Sequence, residues 1–259
     1  MKQFGIFCAL LHRDLKVMRT TVKDMLINGS FFVTFQIAML CYLLPAMGAP
    51  QERILPTFLG VIIILLFSIT FQRSFRLMID LHKNKFIDYQ ITLPITKRWF
   101  IAEFMVMSII EYCTLLVIPY TLCSTLFIRH LFATAPIAWL SLIGVTIASL
   151  VYFSTLSLAI CFGLNFVWFM DNIWPRLLTP LLFLAPTYQP LGQMYESSAI
   201  VGTLMLLNPV TYAIEGFRIA ILAQPSIITA GQCILALITL SFLNLGFLAL
   251  GMRKNLDPV

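Results

Sequence analysis

The sequence predicts an all-α membrane protein with six transmembrane helices, and three observations carry that prediction. Of the 259 residues, 60% are hydrophobic and 11% are charged, whereas a soluble domain carries about 25% charged residues. Six segments contain the ~20 mostly apolar residues that an α-helix needs to cross a bilayer, or nearly as many. The Lys and Arg residues between these segments are unevenly distributed, which indicates one orientation in the membrane.

The predicted spans belong to a single transmembrane domain, residues 1–259. Span 5 is the shortest and contains Pro180 and Pro186. An aromatic stretch at residues 166–176 precedes span 5, so the residue at which this span begins stays open. The six spans are predicted at residues 27–47, 54–75, 100–127, 137–162, 175–188 and 229–252.

Most basic residues lie on one predicted side of the membrane. Fourteen of the 17 Lys and Arg residues precede span 1, lie around the loop between spans 2 and 3 or around the junction of spans 4 and 5, or follow span 6. Arg53, Arg129 and Arg218 lie on the other side. Because cytoplasmic loops are rich in Lys and Arg, both termini are predicted to be cytoplasmic. The net charge of +6 then reflects topology, and we predict no nucleic-acid partner.

The N-terminal residues 1–26 predict an amphipathic helix that lies in the membrane surface. Phe4, Phe7 and Leu11 recur at helical spacing with further apolar residues, while Arg13, Lys16 and Arg19 lie mostly elsewhere around the helix. Two interpretations are open. The helix is a lipid-surface anchor, or it also contacts a cytoplasmic partner.

The predicted cytoplasmic loop at residues 76–98 mixes apolar and charged side chains. A fully solvated loop has no need of the apolar ones. The pattern predicts a short amphipathic helix that Pro94 ends. Such a helix is typical of a docking element, and the alternative is a loop that packs on its own spans.

Residues 189–224 are mostly apolar and are interrupted by Pro190 and Pro209. Backbone at membrane depth must satisfy its own hydrogen bonds, so two helices are predicted, at 191–206 and 209–222, as an inverted V on the outer side. Asn208 is the expected cap and Pro209 the first-turn residue. Glu215 and Arg218 are three residues apart, so they share a helix face and can pair.

The chain lacks sequence motifs for nucleotide binding or catalysis. It has no G-x-x-x-x-G-K-[ST] loop and no H-E-x-x-H, G-x-S-x-G or C-x-x-C pattern. We therefore predict that it is not an enzyme and has no metal site. Glu103 and Glu111 are the acidic residues within the spans, and such carboxylates are costly unless paired, hydrated or protonated. An interfacial ion pair with Lys97 or Arg98 is predicted for Glu103. A bond between helices, a polar cavity or a proton-carrying role is open for Glu111.

Two strings in this layout carry a family resemblance. One is Leu93-Pro94-Ile95-Thr96-Lys97-Arg98 after the first cytoplasmic loop, and the other is Asn208-Pro209-Val210-Thr211-Tyr212 with Glu215 and Arg218 before the last span. With the order of helices, they resemble the membrane subunit of type-2 ABC exporters, the six-span permeases of drug, polysaccharide and lipid export. The resemblance covers the whole chain.

The resemblance implies a permease subunit of the bacterial cytoplasmic (inner) membrane. Two copies of the chain would form the translocation path, mainly from spans 1, 2 and 5, and two copies of a separate ATPase subunit would drive it. ATP and Mg would bind that partner, with no cofactor on this chain. The candidate lining residues are mostly apolar, which favours a hydrophobic or amphiphilic substrate: a drug, a lipid or a glycan.

The resemblance also implies roles for residues. The loop would be the coupling helix that enters the ATPase, and residues 1–26 would be the connecting helix that rides on it. Residues 189–224 would be a re-entrant pair that caps the exit. The implied sites are Lys85, Phe86, Asp88, Tyr89 and Leu93 for coupling; Arg13, Lys16 and Arg19 on the connecting helix; and Asn208, Pro209, Tyr212, Glu215 and Arg218 in the outer motif.

Two other classes compete with the permease. The first is an ion- or proton-coupled secondary transporter that uses Glu111 and Glu103. Inverted repeats would favour it, but no convincing repeat is found, and it leaves the amphipathic loop unexplained. The second is a membrane-embedded enzyme, which would need clustered His, Asp or Ser at membrane depth.

Overall fold

The computed structural model describes residues 2–48, 50, 53–81, 96–127, 137–223 and 226–256. Within these ranges the chain is helical and contains no β-strand, which confirms the all-α prediction. The main helices are α1 (Lys2–Ala38), α2 (Ile54–Ile79), α3 (Lys97–Phe127), α4 (Trp139–Gly163), α5 (Phe166–Ile173), α6 (Leu191–Ser197), α7 (Ala199–Leu207), α8 (Pro209–Leu222) and α9 (Ala230–Leu256).

Three of the described helices are long and apolar enough to cross a membrane: α2, α4 and the part of α9 at Ala230–Met252. Helices α7 and α8 meet at 101° and add a fourth crossing if the pair is counted as one broken span. Most of α2 and α4 is buried inside the protein, whereas α9 exposes most of its apolar surface. Such apolar exposure suits lipid contact. The total of six spans stays a prediction.

The first helix differs from the sequence prediction. A surface helix was expected up to residue 26 and a separate span from residue 27, but α1 runs from Lys2 to Ala38 without a break. No proline lies between these residues, so every residue can donate to the helical ladder. A π-helical turn, Met39–Leu43, and a last turn, Leu44–Ala46, continue it.

The two halves of α1 have different surroundings. Near its start, Phe4 and Phe7 pack around the Trp99 ring at the beginning of α3, with ring centroids 6.1 and 5.2 Å away. Further along, Phe31 and Phe35 are exposed. The N-terminal half therefore packs on α3, and the later half presents an aromatic face outward.

The fifth helical segment begins earlier than residue 175. The Asn165 side chain accepts a hydrogen bond from the Val167 amide (3.0 Å) and caps α5 at Phe166. A π-helical turn, Trp174–Leu178, and a helical turn, Thr179–Phe183, continue the helix. Pro175 lies in the π-helical turn and Pro180 lies in the turn that follows it. Where the two turns meet, Thr179 Oγ1 donates to the Trp174 carbonyl (2.8 Å).

The first helix of the predicted outer pair is divided into α6 and α7. The break is at Ser198, whose backbone is extended and whose hydroxyl accepts from the Val201 amide. Serine is favoured at helix caps because its side chain replaces a missing backbone acceptor. The single helix expected at residues 191–206 is thus replaced by two shorter ones.

Small residues let α4 and α9 approach closely. An added Cβ on Gly251 would lie 2.3 Å from the Phe162 carbonyl oxygen, and one on Gly163 would lie 2.1 Å from Phe247 Cε1. Close backbone approach through small residues is typical of helix pairs in membranes. The pairing fixes the last helix of the chain against the buried α4.

We expect Gly251→Ala to destabilise the protein, because the added Cβ would force the backbones of α4 and α9 apart. Overpacking of this kind costs about 1–3 kcal/mol. The measurement is the thermal midpoint of unfolding in mild detergent. Gly246→Ala is the matched control on the same helix, since a Cβ there has nothing within 4 Å. Equal midpoints for the two variants would contradict this packing.

Candidate functional site

The outer motif lies on α8, which has a central position in the fold. This helix packs against α2, α4 and α9. Gly216 allows the approach, because an added Cβ would lie 2.9 Å from Val145 Cγ1. Glu215 and Arg218 on the same helix are almost fully buried, at 1% and 2% exposure. Two charges in such a position require specific partners.

The bend before α8 is stabilised by both ends of the Asn208 side chain. Its Oδ1 accepts from the Val210 amide (3.0 Å), which makes Asn208 the N-cap, and Pro209 occupies the first turn. Its Nδ2 donates to the Leu181 carbonyl (2.7 Å) at the end of the fifth helical segment. Asn208 therefore starts α8 and also binds it to an earlier part of the chain.

The next two polar residues of the motif connect α8 back to the end of α7 across the bend. Thr211 Oγ1 donates to the Met205 carbonyl and Tyr212 Oη donates to the Leu206 carbonyl, both at 2.7 Å. These acceptors belong to the last turn of α7, where a helix leaves carbonyl groups without internal partners. The motif thereby satisfies the backbone at the 101° bend.

The Arg218 guanidinium joins α8 to two other parts of the chain. Nη1 donates to Glu215 Oε1 (2.8 Å) and to the Gln189 carbonyl (3.3 Å). Nη2 donates to the Thr187 carbonyl (2.6 Å), and Nε donates to the Pro56 carbonyl (3.0 Å) in the first turn of α2. All three guanidinium nitrogens thus have a partner, as a buried charge requires.

The Glu215 carboxylate completes the arrangement. Besides Arg218, Oε1 accepts from the Leu191 amide at the start of α6, and Oε2 accepts from the Ser226 hydroxyl, both at 3.0 Å. We call these groups the α8 clamp. It consists of Glu215 and Arg218 with their partners Pro56, Thr187, Gln189, Leu191 and Ser226.

Gly60 on α2 leaves the space that the clamp requires. A Cβ at this position would lie 2.4 Å from the Thr187 carbonyl oxygen and 3.1 Å from Arg218 Nη2. Thr57 on the same face donates through Oγ1 to the Tyr188 carbonyl (3.2 Å). Sequence reasoning missed these positions. A glycine inside an apolar span was the available signal of a close backbone approach.

A second polar cluster, around the buried Glu111 carboxylate, joins α2 to α3. The Glu111 carboxylate forms ion pairs with Arg73 and Arg76, the latter at 2.7 Å. The Arg73 guanidinium also lies over the Phe104 ring, 4.4 Å from its centroid, a favourable cation–π geometry. Three roles were open for Glu111, and of these the structure shows a bond between helices.

Glu103 on α3 faces α1 and α2. It is 2% exposed, and among the described side chains its charged neighbours include Asp14 and Arg13 on α1 and Arg73 on α2. The packing of α1 along α3 places Asp14 beside Glu103. The interfacial pair with Lys97 or Arg98 stays a prediction, because the Lys97 side chain lies outside the described part of the structure. Among the described residues, no group of three or more His, Cys, Asp or Glu is placed to hold a metal ion.

The family model for ABC-2 type transporters matches residues 6–222 of the chain. The chain belongs to the ABC-2 type transporter family. It is accordingly an integral membrane protein and a permease of an ABC transporter, and the family forms a transport component rather than a catalytic one. No curated protein and no solved structure gives a significant match.

The other predicted site residues of this permease fall into three groups. Those of the outer motif converge at the bend and the clamp. On α1, Arg13 pairs with Asp14 (2.6 Å), while Lys16 and Arg19 are exposed. The third group is the predicted coupling set, which lies outside the described residues: Lys85, Phe86, Asp88, Tyr89 and Leu93.

We expect Glu215→Gln and Arg218→Met each to destabilise the permease by about 3–5 kcal/mol, because each leaves a buried charge without its partner. The double variant should lose less than the sum of the two. The measurement is a double-mutant cycle on the unfolding free energy in mild detergent. Glu196→Gln on the exposed face of α6 is the matched control. Strictly additive losses would contradict the clamp.

We expect Asn208→Asp to destabilise the permease even though aspartate is a favoured N-cap residue. Its carboxylate can still accept from the Val210 amide but cannot donate to the Leu181 carbonyl. A lost buried hydrogen bond costs about 1 kcal/mol or more. The thermal midpoint of Asn208→Asp should therefore fall towards that of Asn208→Ala. A wild-type midpoint would show that capping is the residue's whole role.

Proposed function

We propose that this chain is the membrane subunit of an ABC exporter that works with a separate ATPase. The observation that carries the proposal is the family match over residues 6–222. ABC-2 permeases typically partner with an ABC ATPase, and this chain has no Walker-type loop of its own. ATP and Mg would bind the partner, of which two copies would serve two copies of this chain.

The coupling site is proposed in the loop between α2 and α3. Lys85, Phe86, Asp88, Tyr89 and Leu93 would contact the ATPase. The Glu111 ion pairs tie the two helices that flank the loop, which supports joint movement of α2 and α3 when the loop is displaced. Packed interfaces between helices have discrete arrangements, and such elements suit a switch between two states.

The connecting helix is proposed in the N-terminal part of α1. Lys16 and Arg19 are exposed there, so they are free of packing constraints that would prevent contact with the ATPase or with anionic lipid. Because α1 is one continuous helix, movement of its N-terminal end would be passed directly to the later half. This supports a role for residues 1–26 in coupling.

The translocation path is proposed between two copies of the chain. The later half of α1 exposes Phe31 and Phe35, and the π-helical turn that continues it exposes Tyr42. The fifth helical segment exposes Trp174 and Phe183. Large exposed aromatic faces of this kind mark protein, lipid or ligand contact. An apolar lining supports a hydrophobic or amphiphilic substrate such as a drug, a lipid or a glycan, moved by alternating access or a transient channel.

The orientation proposed is with both termini in the cytoplasm of a bacterial cell and the protein in its inner membrane. The re-entrant role then falls to residues 189–224 on the outer side, where the α8 clamp would hold the exit.

The competing proton-coupled transporter draws less support from the geometry. Glu111 already accepts from two guanidinium groups, so its charge is balanced within the protein.

We expect Asp88→Ala with Tyr89→Ala to abolish ATP-driven transport while the protein still folds, because the contacts that connect ATP hydrolysis to the spans would be lost. The measurement is affinity purification from the native membrane in mild detergent, followed by transport in vesicles. A stoichiometric partner with a Walker-A loop is expected with the wild-type chain, and a reduced yield with the variant.

Glu196→Ala, an exposed acidic residue on α6, is the control and should retain both the partner and transport. Unchanged association and transport in the Asp88 and Tyr89 variant would refute the placement of the coupling helix. A wild-type chain that purifies alone and shows pH-dependent transport would refute the permease–ATPase assembly itself.

A further inference from the structure

An apolar pocket lies on a different part of the protein from the exposed aromatic faces of α1 and the fifth segment. It is enclosed by α2, α3, α4 and α8 and has a volume of about 230 Å³. On α4 its lining runs from Leu142 to Leu150, a distance of about 12 Å along the helix axis. The pocket is therefore elongated along the spans and narrow across them.

The lining offers very little to a polar occupant. Besides aliphatic and aromatic carbon it contains Thr146, Ser149 and Cys113. The Thr146 hydroxyl already donates to the Leu142 carbonyl (2.7 Å), which leaves the Ser149 hydroxyl as one buried group without a hydrogen-bond partner among the described residues. A buried water needs two to four polar partners. A polar solute or a water cluster is thus a poor fit, and a hydrocarbon is a good one.

The position of the pocket identifies the source of that hydrocarbon. Both α2 and α4 have the length and composition of membrane-crossing helices. On α4 the lining stripe lies beside an exposed stripe formed by Leu140, Ile143 and Ile147. Lipid tails are the apolar material that surrounds such a face. The pocket begins near the first turn of α4, so a tail could enter it from the membrane surface.

We propose that this pocket binds one acyl chain of a membrane lipid as a resident ligand. The chain lies along α4, with its end near Ser149 and its headgroup outside the pocket near the start of that helix. Recognition is of the hydrocarbon, so the headgroup contributes little. The site is separate from the proposed path between two copies and does not depend on an ATPase.

The occupant would act on α8. Phe217 and Ile221 of α8 line the pocket, and Phe217 is next to Arg218 of the clamp. A chain that fills the space restores the van der Waals contacts that an empty cavity forfeits. Lipid occupancy therefore stabilises the packing of α8 against α2 and α4.

The test compares two tryptophan substitutions on α4. Leu142→Trp fills the pocket, whereas Ile143→Trp places the same side chain on the adjacent exposed stripe. Each protein is delipidated in detergent, and mixed vesicles of phosphatidylethanolamine and phosphatidylglycerol are added back. Wild type and Ile143→Trp should retain about one lipid per chain by mass spectrometry and gain thermal stability on add-back. Leu142→Trp should lose both the bound lipid and the gain in stability. For wild type, vesicles of either lipid alone should give the same gain in stability, because the pocket recognises the hydrocarbon.

A second measurement keeps the test decisive if Leu142→Trp fails to fold. Cys113 lines the pocket and is partly exposed. In the wild-type chain, N-ethylmaleimide should label it several-fold faster after delipidation than after add-back, as read by peptide mass spectrometry. Exposed Cys8 is the internal control and should react equally in both states.

Three outcomes would overturn the proposal. One is a Cys113 labelling rate that is the same with and without lipid. Another is protection that follows protein concentration rather than lipid, which would mean that a second copy covers the pocket. The third is binding that depends on one headgroup and persists in Leu142→Trp, which would place the lipid elsewhere.

Discussion

The buried ion pair between Glu215 and Arg218 is the interaction on which the rest of this structure depends. Two charges removed from solvent are unfavourable unless the remaining hydrogen-bonding groups are also satisfied. The protein meets that requirement with backbone groups from distant parts of the chain, including the Thr187 carbonyl and the Leu191 amide. The turn before α6 and the absence of a side chain at Gly60 follow from this requirement. The clamp thus fixes where the outer helices lie against the spans.

Helix α2 links this clamp to the opposite end of the protein. Its first turn supplies the Pro56 carbonyl to Arg218, and its last turns carry Arg73 and Arg76, which bind Glu111 on α3. The residues at 56 and 73 are separated by about 25 Å along the helix. A single rigid helix therefore connects the region beside the proposed coupling loop with the helix that holds the proposed exit. This is a physical route by which one end can respond to the other.

Features that depend on a local sequence pattern, such as spans and helix caps, were predicted from the sequence. Contacts with backbone groups from distant parts of the chain were not. The spans that became α2, α4 and α9 were predicted within a few residues, and so was the cap at Asn208. The partners of Arg218 were not predicted, because backbone carbonyls carry no sequence signature. The continuity of α1 has no such local signal, because the amphipathic pattern of residues 1–26 gives way to an apolar one near residue 27 within one helix. The breaks near Asn165 and Ser198 had a local signal, since both residues are favoured caps.

Hydrogen exchange at the Leu191 amide tests the central claim most directly. This amide lies in the first turn of α6, where a helix provides no internal acceptor, so its protection depends on the Glu215 carboxylate at 3.0 Å. Residue-resolved exchange of the wild-type protein in a lipid nanodisc is the measurement. The account predicts protection close to that of the α8 amides, while the amide of the exposed Gln193 in the same turn exchanges fast. Equally fast exchange at both would mean that the clamp does not hold this helix.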